Sequence, residues 1–263
     1  MSLFHSPEFV RLASVPNLEL NGCTLLIGPH AGTYGGFSNA EDLNVMESLV
    51  DATPVACTVK LAPASHDLRL FSRSMNVLHR AGFMLEYADL NYGLAPRSLD
   101  FNARIDRSQR KKLAKCYRAG YESVRIENLE LMRSAYDLIC ANRRRAGLEL
   151  SLHWKNLRAL ETALPGTYRF YATFDGDRMI AAAICVMIEA DILYIYAWGD
   201  AEKNEYAPTV QLCEAIYTDA CLSGMRLLDA GISTERGIPN YGLIRFKESL
   251  GFVPSLKATM ARR

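Results

Sequence analysis

Two apolar runs set close together limit what this chain can become. Met179–Ile188 carries no charged residue, and Ile192–Trp198 follows it after only Glu189-Ala190-Asp191. So short a polar break between runs of this kind predicts a hairpin, with a first arm buried on both faces. Ten apolar residues are too few to cross a bilayer. The N-terminal Met-Ser-Leu-Phe-His-Ser-Pro also lacks a basic segment followed by an apolar core. No membrane span or secretory leader is expected, and the expected location is the cytoplasm.

The rest of the sequence alternates strand and helix signals. In the first half, Thr24–Ile27 and Val55–Leu61 read as strands, and Ala40–Val50 and Asp67–Arg80 as helices. Gly82, Gly120 and Gly251 each end a helical stretch and precede an aromatic that opens the next strand, the pattern of a left-handed C-cap. From Asn128 onward come two helices, broken at Pro165-Gly166. A strand from Tyr168 and an Asp175-Gly176-Asp177 turn lead into the hairpin. A helix over Pro208–Leu222, a strand over Arg226–Ala230, a helix over Tyr241–Leu250 and a closing strand complete the order. The fold class is therefore α/β (α+β) with a mixed sheet. A length of 263 residues favours two compact units, divided near Glu127 into 1–126 and 127–263.

Composition narrows the partners. Lys+Arg 30 against Asp+Glu 29 gives a net charge of +1, so an anionic partner must rely on a local patch. Seven scattered cysteines, with no CxxC and no Cys/His cluster, support neither a disulfide framework nor a metal site.

The element order after Asn128, with the turn before the hairpin and the ending Lys247-Glu248-Ser249-Leu250-Gly251-Phe252, resembles the GNAT N-acyltransferase fold. Further motifs resemble the Fem-type branch, which carries two GNAT-like domains in tandem. Phe246-Lys247-Glu248-Ser249-Leu250-Gly251 is similar to its FKxxxG ending, and Leu228–Ser233 to its strand-then-loop segment. Gly32-Thr33-Tyr34-Gly35-Gly36 is similar to the YGG loop of its first domain, and Arg110–Lys115 to the basic helix that closes it. The resemblance implies a degenerate first domain for substrate recognition and a second for donor binding and catalysis. The implied activity moves an acyl or aminoacyl group onto an amine of a sugar- or peptide-containing precursor, in bacterial envelope or polysaccharide assembly. Acyl-CoA or aminoacyl-tRNA is the implied co-substrate, with no tightly bound cofactor. The acceptor would be a small-molecule or lipid-linked precursor, and tRNA a further partner.

Amide formation needs a reachable donor carbonyl, stabilisation of a tetrahedral oxyanion and a route for the amine proton. The resemblance places the donor site between Trp198 and Pro208. There the sequence departs from acetyl-CoA users: in place of RxxGxG stands Ala201-Glu202-Lys203-Asn204-Glu205-Tyr206-Ala207-Pro208, with no glycine after Gly199. A different donor, or a non-catalytic binding module that kept the fold, fits that loss. Asp229, at a strand end beside Gly231 and Ser233, is a catalytic candidate to orient or deprotonate the amine, or else caps the next turn. Lys247 stands where many GNAT enzymes have a tyrosine acid, and is the second candidate, holding a phosphate or carboxylate.

Substrate-binding candidates are Tyr34, Gly35 and Gly36 in the glycine-rich loop, Tyr196 and Trp198, and Ser233, Asn240 and Tyr241 before the last helix. The loop lacks the Lys-Ser/Thr of a triphosphate-binding loop, and an exposed Tyr34 would suit recognition. Tyr194, Tyr196 and Trp198 alternate, which predicts one aromatic strand face. Arg107 and Lys111 belong to a basic stripe with Arg104, Lys115 and Arg118 on a helix over about Ile105–Tyr117, either a phosphate clamp or a solvated face. For Arg143-Arg144-Arg145 a helix-end dipole effect suffices, and His153 reads as a packed or capping residue.

Overall fold

Hydrophobic alternation and helix-end residues place the elements. The computed structural model describes residues 16–27, 34–201 and 206–263. Gly28–Thr33 of the glycine-rich loop and Glu202–Glu205 in the expected donor-site segment lie outside the described residues. Strands β1 (Asn17–Leu20), β2 (Cys23–Leu26) and β3 (Gly36–Ser38) come first, then α1 (Leu43–Asp51), β4 (Cys57–Lys60), α2 (Leu68–Arg80) and β5 (Met84–Leu94). Next are α3 (Arg107–Arg118), β6 (Glu122–Ile126), α4 (Leu129–Arg145) and α5 (Trp154–Ala163). The strands β7 (Tyr168–Asp175), β8 (Arg178–Glu189) and β9 (Ile192–Asp200) lead to α6 (Pro208–Leu222) and β10 (Leu227–Ile232). The short β11 (Thr234–Glu235) and β12 (Ile238–Pro239), α7 (Tyr241–Ser249) and β13 (Val253–Arg262) follow.

Two units emerge. The first comprises Met1–Tyr92, Ile232–Tyr241 and Pro254–Arg263; the second comprises Gly93–Gly231 and Gly242–Val253. Their boundary differs from the expected division at Glu127, and strand pairing explains why. The strand just before Glu127, β6, is antiparallel to β7, from Glu122↔Phe174 to Ile126↔Phe170, so it belongs to the second unit's sheet. Conversely, the C-terminal β13 pairs with β4 from Arg262↔Cys57 to Thr259↔Lys60, completing the first unit with residues distant in sequence. A linear cut cannot separate such units.

In the first unit, β1, β2 and β3 form an antiparallel sheet, and β13 lies between β4 and β5. Its core gathers Leu25, Phe37, Met46, Val59, Leu78, Phe83 and Met260. The second unit orders its strands β10-β9-β8-β7-β6, with β10 parallel to β9 and the remaining pairs antiparallel. Strand β8 is buried from Ile180 through Val186, as its unbroken apolar run predicts. Ala181, Ala182 and Ala183 leave room for close packing, and both α4 and α6 pack against this strand. Residues Asp42, Asp67, Asp106 and Asn128 cap α1, α2, α3 and α4, each accepting an amide hydrogen bond from the first turn. The loop over 231–239 contains a two-residue hairpin, β11–β12, that the sequence pattern does not announce.

The helix-end glycines adopt the left-handed conformation, but they are not equivalent. Gly120 has φ +76° with open space around a would-be Cβ, whereas at Gly251, φ +82°, a Cβ would stand 2.8 Å from the Arg104 carbonyl oxygen. Gly120→Ala should therefore lose only the backbone term, about 1 kcal/mol. Gly251→Ala should lose clearly more, roughly 2–4 kcal/mol, because backbone must shift as well. Urea unfolding of both variants measures the difference, and equal losses would show that the approach to Arg104 relaxes without cost.

Candidate active site

The sheet of the second unit parts between β10 and β9. Strands β10 and β9 pair only through Leu227↔Ile192, Leu228↔Leu193 and Asp229↔Tyr194. Strand β9 continues to Asp200, held on its other side by β8 through Ala183↔Trp198 and Ala181↔Asp200. Beyond Tyr194 the edge of β9 away from β8 is no longer paired with β10, and a free backbone N–H on such an edge is the kind of donor that can polarise a carbonyl.

Asp229 is the last residue of β10 paired with β9, and its side chain makes a tight local bond. One carboxylate oxygen accepts from the Gly231 amide at 2.7 Å, and the side chain is 1% exposed. Gly231 sits at φ +73°, and a Cβ there would stand 3.2 Å from the Tyr194 ring. A side chain there would be strained by this φ and would press against the Tyr194 ring. From α7, Lys247 reaches the same point, its Nζ donating to the Gly231 carbonyl at 2.9 Å, and it too is 1% exposed. The two catalytic candidates therefore meet around one glycine.

Burial lowers the Lys247 ammonium to about 7; the nearby Asp229 opposes that fall and Arg143 adds to it. Desolvation, helped by Asp229, pushes the Tyr194 hydroxyl above its ordinary range, against Arg143. Arg143 belongs to the last turn of α4, which is anchored to the end of β9: Asn142 donates to Asp200 Oδ1 at 2.8 Å and Arg145 to its carbonyl at 2.6 Å. Of the three consecutive arginines, Arg143 is the one whose charge bears on Lys247. The sequence offers no signal for that choice, which follows from the rotation of α4 against β9.

The aromatic stripe does not survive as one face. Ile184 pairs with Ala197 and Cys185 with Ile195, so Tyr196 is an extra residue in a bulge. Tyr194 lies opposite Val186 and Trp198 opposite Ala183, three residues apart on β8 and hence on opposite faces of the sheet. Tyr196 instead accepts from the Leu152 amide at 3.0 Å and lies 2.9 Å from Ser151 Oγ. Trp198 makes an edge contact with Phe246, ring centroids 5.8 Å apart. Strict alternation holds only where pairing is unbroken.

The remaining candidates are distributed. Arg107 and Lys111 are exposed on α3. Tyr34, Gly35, Gly36, Ser233, Asn240 and Tyr241 belong to the first unit. Tyr34 is buried, contrary to the expected exposure: its hydroxyl lies 3.1 Å from His66 Nδ1, and the Lys257 ammonium is 5.4 Å from its ring centre. Gly35 approaches backbone, since a Cβ there would stand 2.6 Å from the Leu26 carbonyl oxygen. Ser233 is buried, with its amide on Leu90 O and its carbonyl accepting from Asn240, while Asn240 and Tyr241 are exposed. Among the described residues no His/Cys/Asp/Glu group could hold a metal ion, and no helix is long and apolar enough to cross a membrane.

The second unit is thus a mixed sheet packed by helices, with buried polar groups where β9 and β10 part. The chain belongs to the GNAT acetyltransferase domain family, whose family model matches residues 103–247. Its fold is similar to that of FemX, with TM-score 0.73, 12% identity, and coverage of 99% of this chain and 92% of that one. It is also similar to a C-terminal domain from Agrobacterium fabrum described as a lysylphosphatidylglycerol synthetase, with TM-score 0.68, 9% identity, and coverage of 97% and 86%. L-PGS from Bacillus licheniformis gives TM-score 0.66, 11% identity, and coverage of 95% and 85%. A comparison with curated proteins finds no match.

The Lys247 environment makes a sign-definite prediction. Between about 7 and the ordinary lysine value of 10.5 the unfolded chain holds a proton that the folded chain does not, so folded stability rises with pH across that window. Below it the penalty is constant. Lys247→Met removes this dependence, so its melting temperature relative to wild type should be most favourable at or below pH 7. The advantage should shrink toward pH 10, by up to about 1.4 kcal/mol per pH unit. A pH-independent offset would mean that Lys247 keeps its proton in the fold.

Proposed function

We propose that this chain transfers an acyl or aminoacyl group to a primary amine at the parting of β9 and β10. The observation that carries the reading is the meeting of Asp229 and Lys247 around Gly231, both buried, beside backbone donors left without a strand partner. In that reaction the amine nitrogen attacks the donor carbonyl, the new C–N bond forms through a tetrahedral oxyanion, and the bond to the leaving thiol or hydroxyl breaks. Donors on the open edge of β9 face the oxyanion. Asp229 orients the attacking amine and receives its proton directly or through water, and the leaving group takes up a proton in turn. Lys247, charged below about pH 7, attracts an anionic group of donor or acceptor.

Membership of the GNAT family favours acyl-CoA as donor. The segment before α6 carries no glycine after Gly199, which favours an aminoacyl ester as the second reading. The acceptor in this proposal is a sugar- or peptide-containing precursor of the cell envelope, small or lipid-linked, met in the cytoplasm. The first unit serves its recognition as a degenerate GNAT-like partner of the second.

Thermal-shift screening against acyl-CoAs and an aminoacyl-tRNA identifies the donor, since a ligand of the native state raises the melting temperature. With that donor, Asp229→Asn should lower kcat by less than the ~10²–10⁴-fold of a dedicated general base, with little change in KM. Lys247→Met should chiefly raise KM, and the wild-type KM should rise as pH passes above about 7. Wild-type kinetics in both variants would move the site elsewhere; no shift with any donor would favour a non-catalytic binding module.

A further inference from the structure

Helix α3 buries Gln109, Leu113 and Cys116 and contains no acidic residue. Arg107, Lys111, Lys115 and Arg118, spaced by four, four and three, form a ridge on the opposite side, and all are exposed. Arg110 and Lys112 flank that ridge, also exposed, and among the described residues none of the six forms an ion pair. Asp106 acts electrostatically on Lys112 and so offsets part of this charge. Asp106 is engaged in capping α3, Asp100 accepts from the Ala103 amide, and Glu214 accepts from the Tyr117 hydroxyl.

The loop leading to α3 adds exposed Arg97 and Leu99. Its Ser98 carbonyl accepts from the Tyr217 hydroxyl at 2.6 Å and from the Cys221 thiol at 3.4 Å, which ties this loop to the last turns of α6, the helix that ends at Leu222. Leu99 is 59% exposed and Leu222 72%. Helices α3 and α6 pack on one another, so the cations and the two leucines belong to one region of the second unit.

We propose that this region docks on an anionic lipid bilayer, with the α3 ridge on the headgroups and Leu99 and Leu222 entering the interface. A basic ridge alone suits any polyanion. The two exposed leucines gain nothing against a phosphodiester backbone, whereas interfacial binding gains from apolar area and charge together. Docking is separate from the transfer reaction and needs no donor to be observed.

Flotation with phosphatidylcholine vesicles, and with vesicles containing about 30% phosphatidylglycerol, tests it at low and at ~0.5 M salt, where screening shortens electrostatic reach. Binding is expected on the anionic vesicles at low salt, with at least a tenfold loss at high salt and in the double variant Lys111→Glu, Lys115→Glu. Leu99→Ser with Leu222→Ser should weaken binding several-fold, and matching melting curves confirm that both variants fold. Equal binding to neutral vesicles, or full binding by the charge-reversed variant, would overturn the proposal. So would tighter binding of an RNA that is indifferent to the leucine substitutions, which would make the ridge a nucleic-acid surface.

Discussion

The point at which the β9–β10 ladder stops controls the second unit. Up to Asp229↔Tyr194 the two strands satisfy one another; beyond it β9 runs on beside β8 while β10 turns away through Gly231. Backbone polar groups released in this way must find water, a side chain or a ligand. Lys247 takes one of them, the Gly231 carbonyl, and Asp229 takes another, the Gly231 amide. The turn is therefore held by two buried polar side chains, one from β10 and one from α7.

That arrangement is costly in isolation. Burial strips an ammonium of much of its hydration, which is why the proton of Lys247 is held more loosely than in water. The Asp229 carboxylate recovers part of the loss, and Arg143 works the other way. Lys247 thus stands between a carboxylate and a guanidinium that act on its charge in opposite directions.

Much of the architecture was legible in the sequence because it rests on local rules. The hairpin, the helices that end at Gly82, Gly120 and Gly251, and the proline-led α6 all follow from periodicity, turns and caps. The meeting of Asp229 and Lys247 was legible through topology, since α7 returns beside the strand that ends at Asp229. What escaped depends on contacts remote in sequence. The pairing of β13 with β4 draws the chain's end into the first unit, so no composition change marks a boundary. The bulge at Tyr196 inserts one residue and reverses which face Tyr194 presents relative to Trp198, and nothing in an aromatic alternation signals it. Tyr34, polar at its tip and beside glycines, suggests an exposed loop; the His66 partner that allows its burial lies 32 residues away.

The basic residues show why position outranks type. Lys111 and Lys247 have the same side chain, both on helices, and a charge count treats them alike. Lys111 stands on the outer side of α3, where water screens its field and its value lies in summing with neighbours along a ridge. Lys247 is enclosed, so its field is little screened and acts on single groups a few ångströms away. The outer ridge is thus suited to a broad anionic surface and the enclosed lysine to one anionic group on one molecule. The net charge of +1 conceals both, because the balancing acids are spread over the chain while these cations are not.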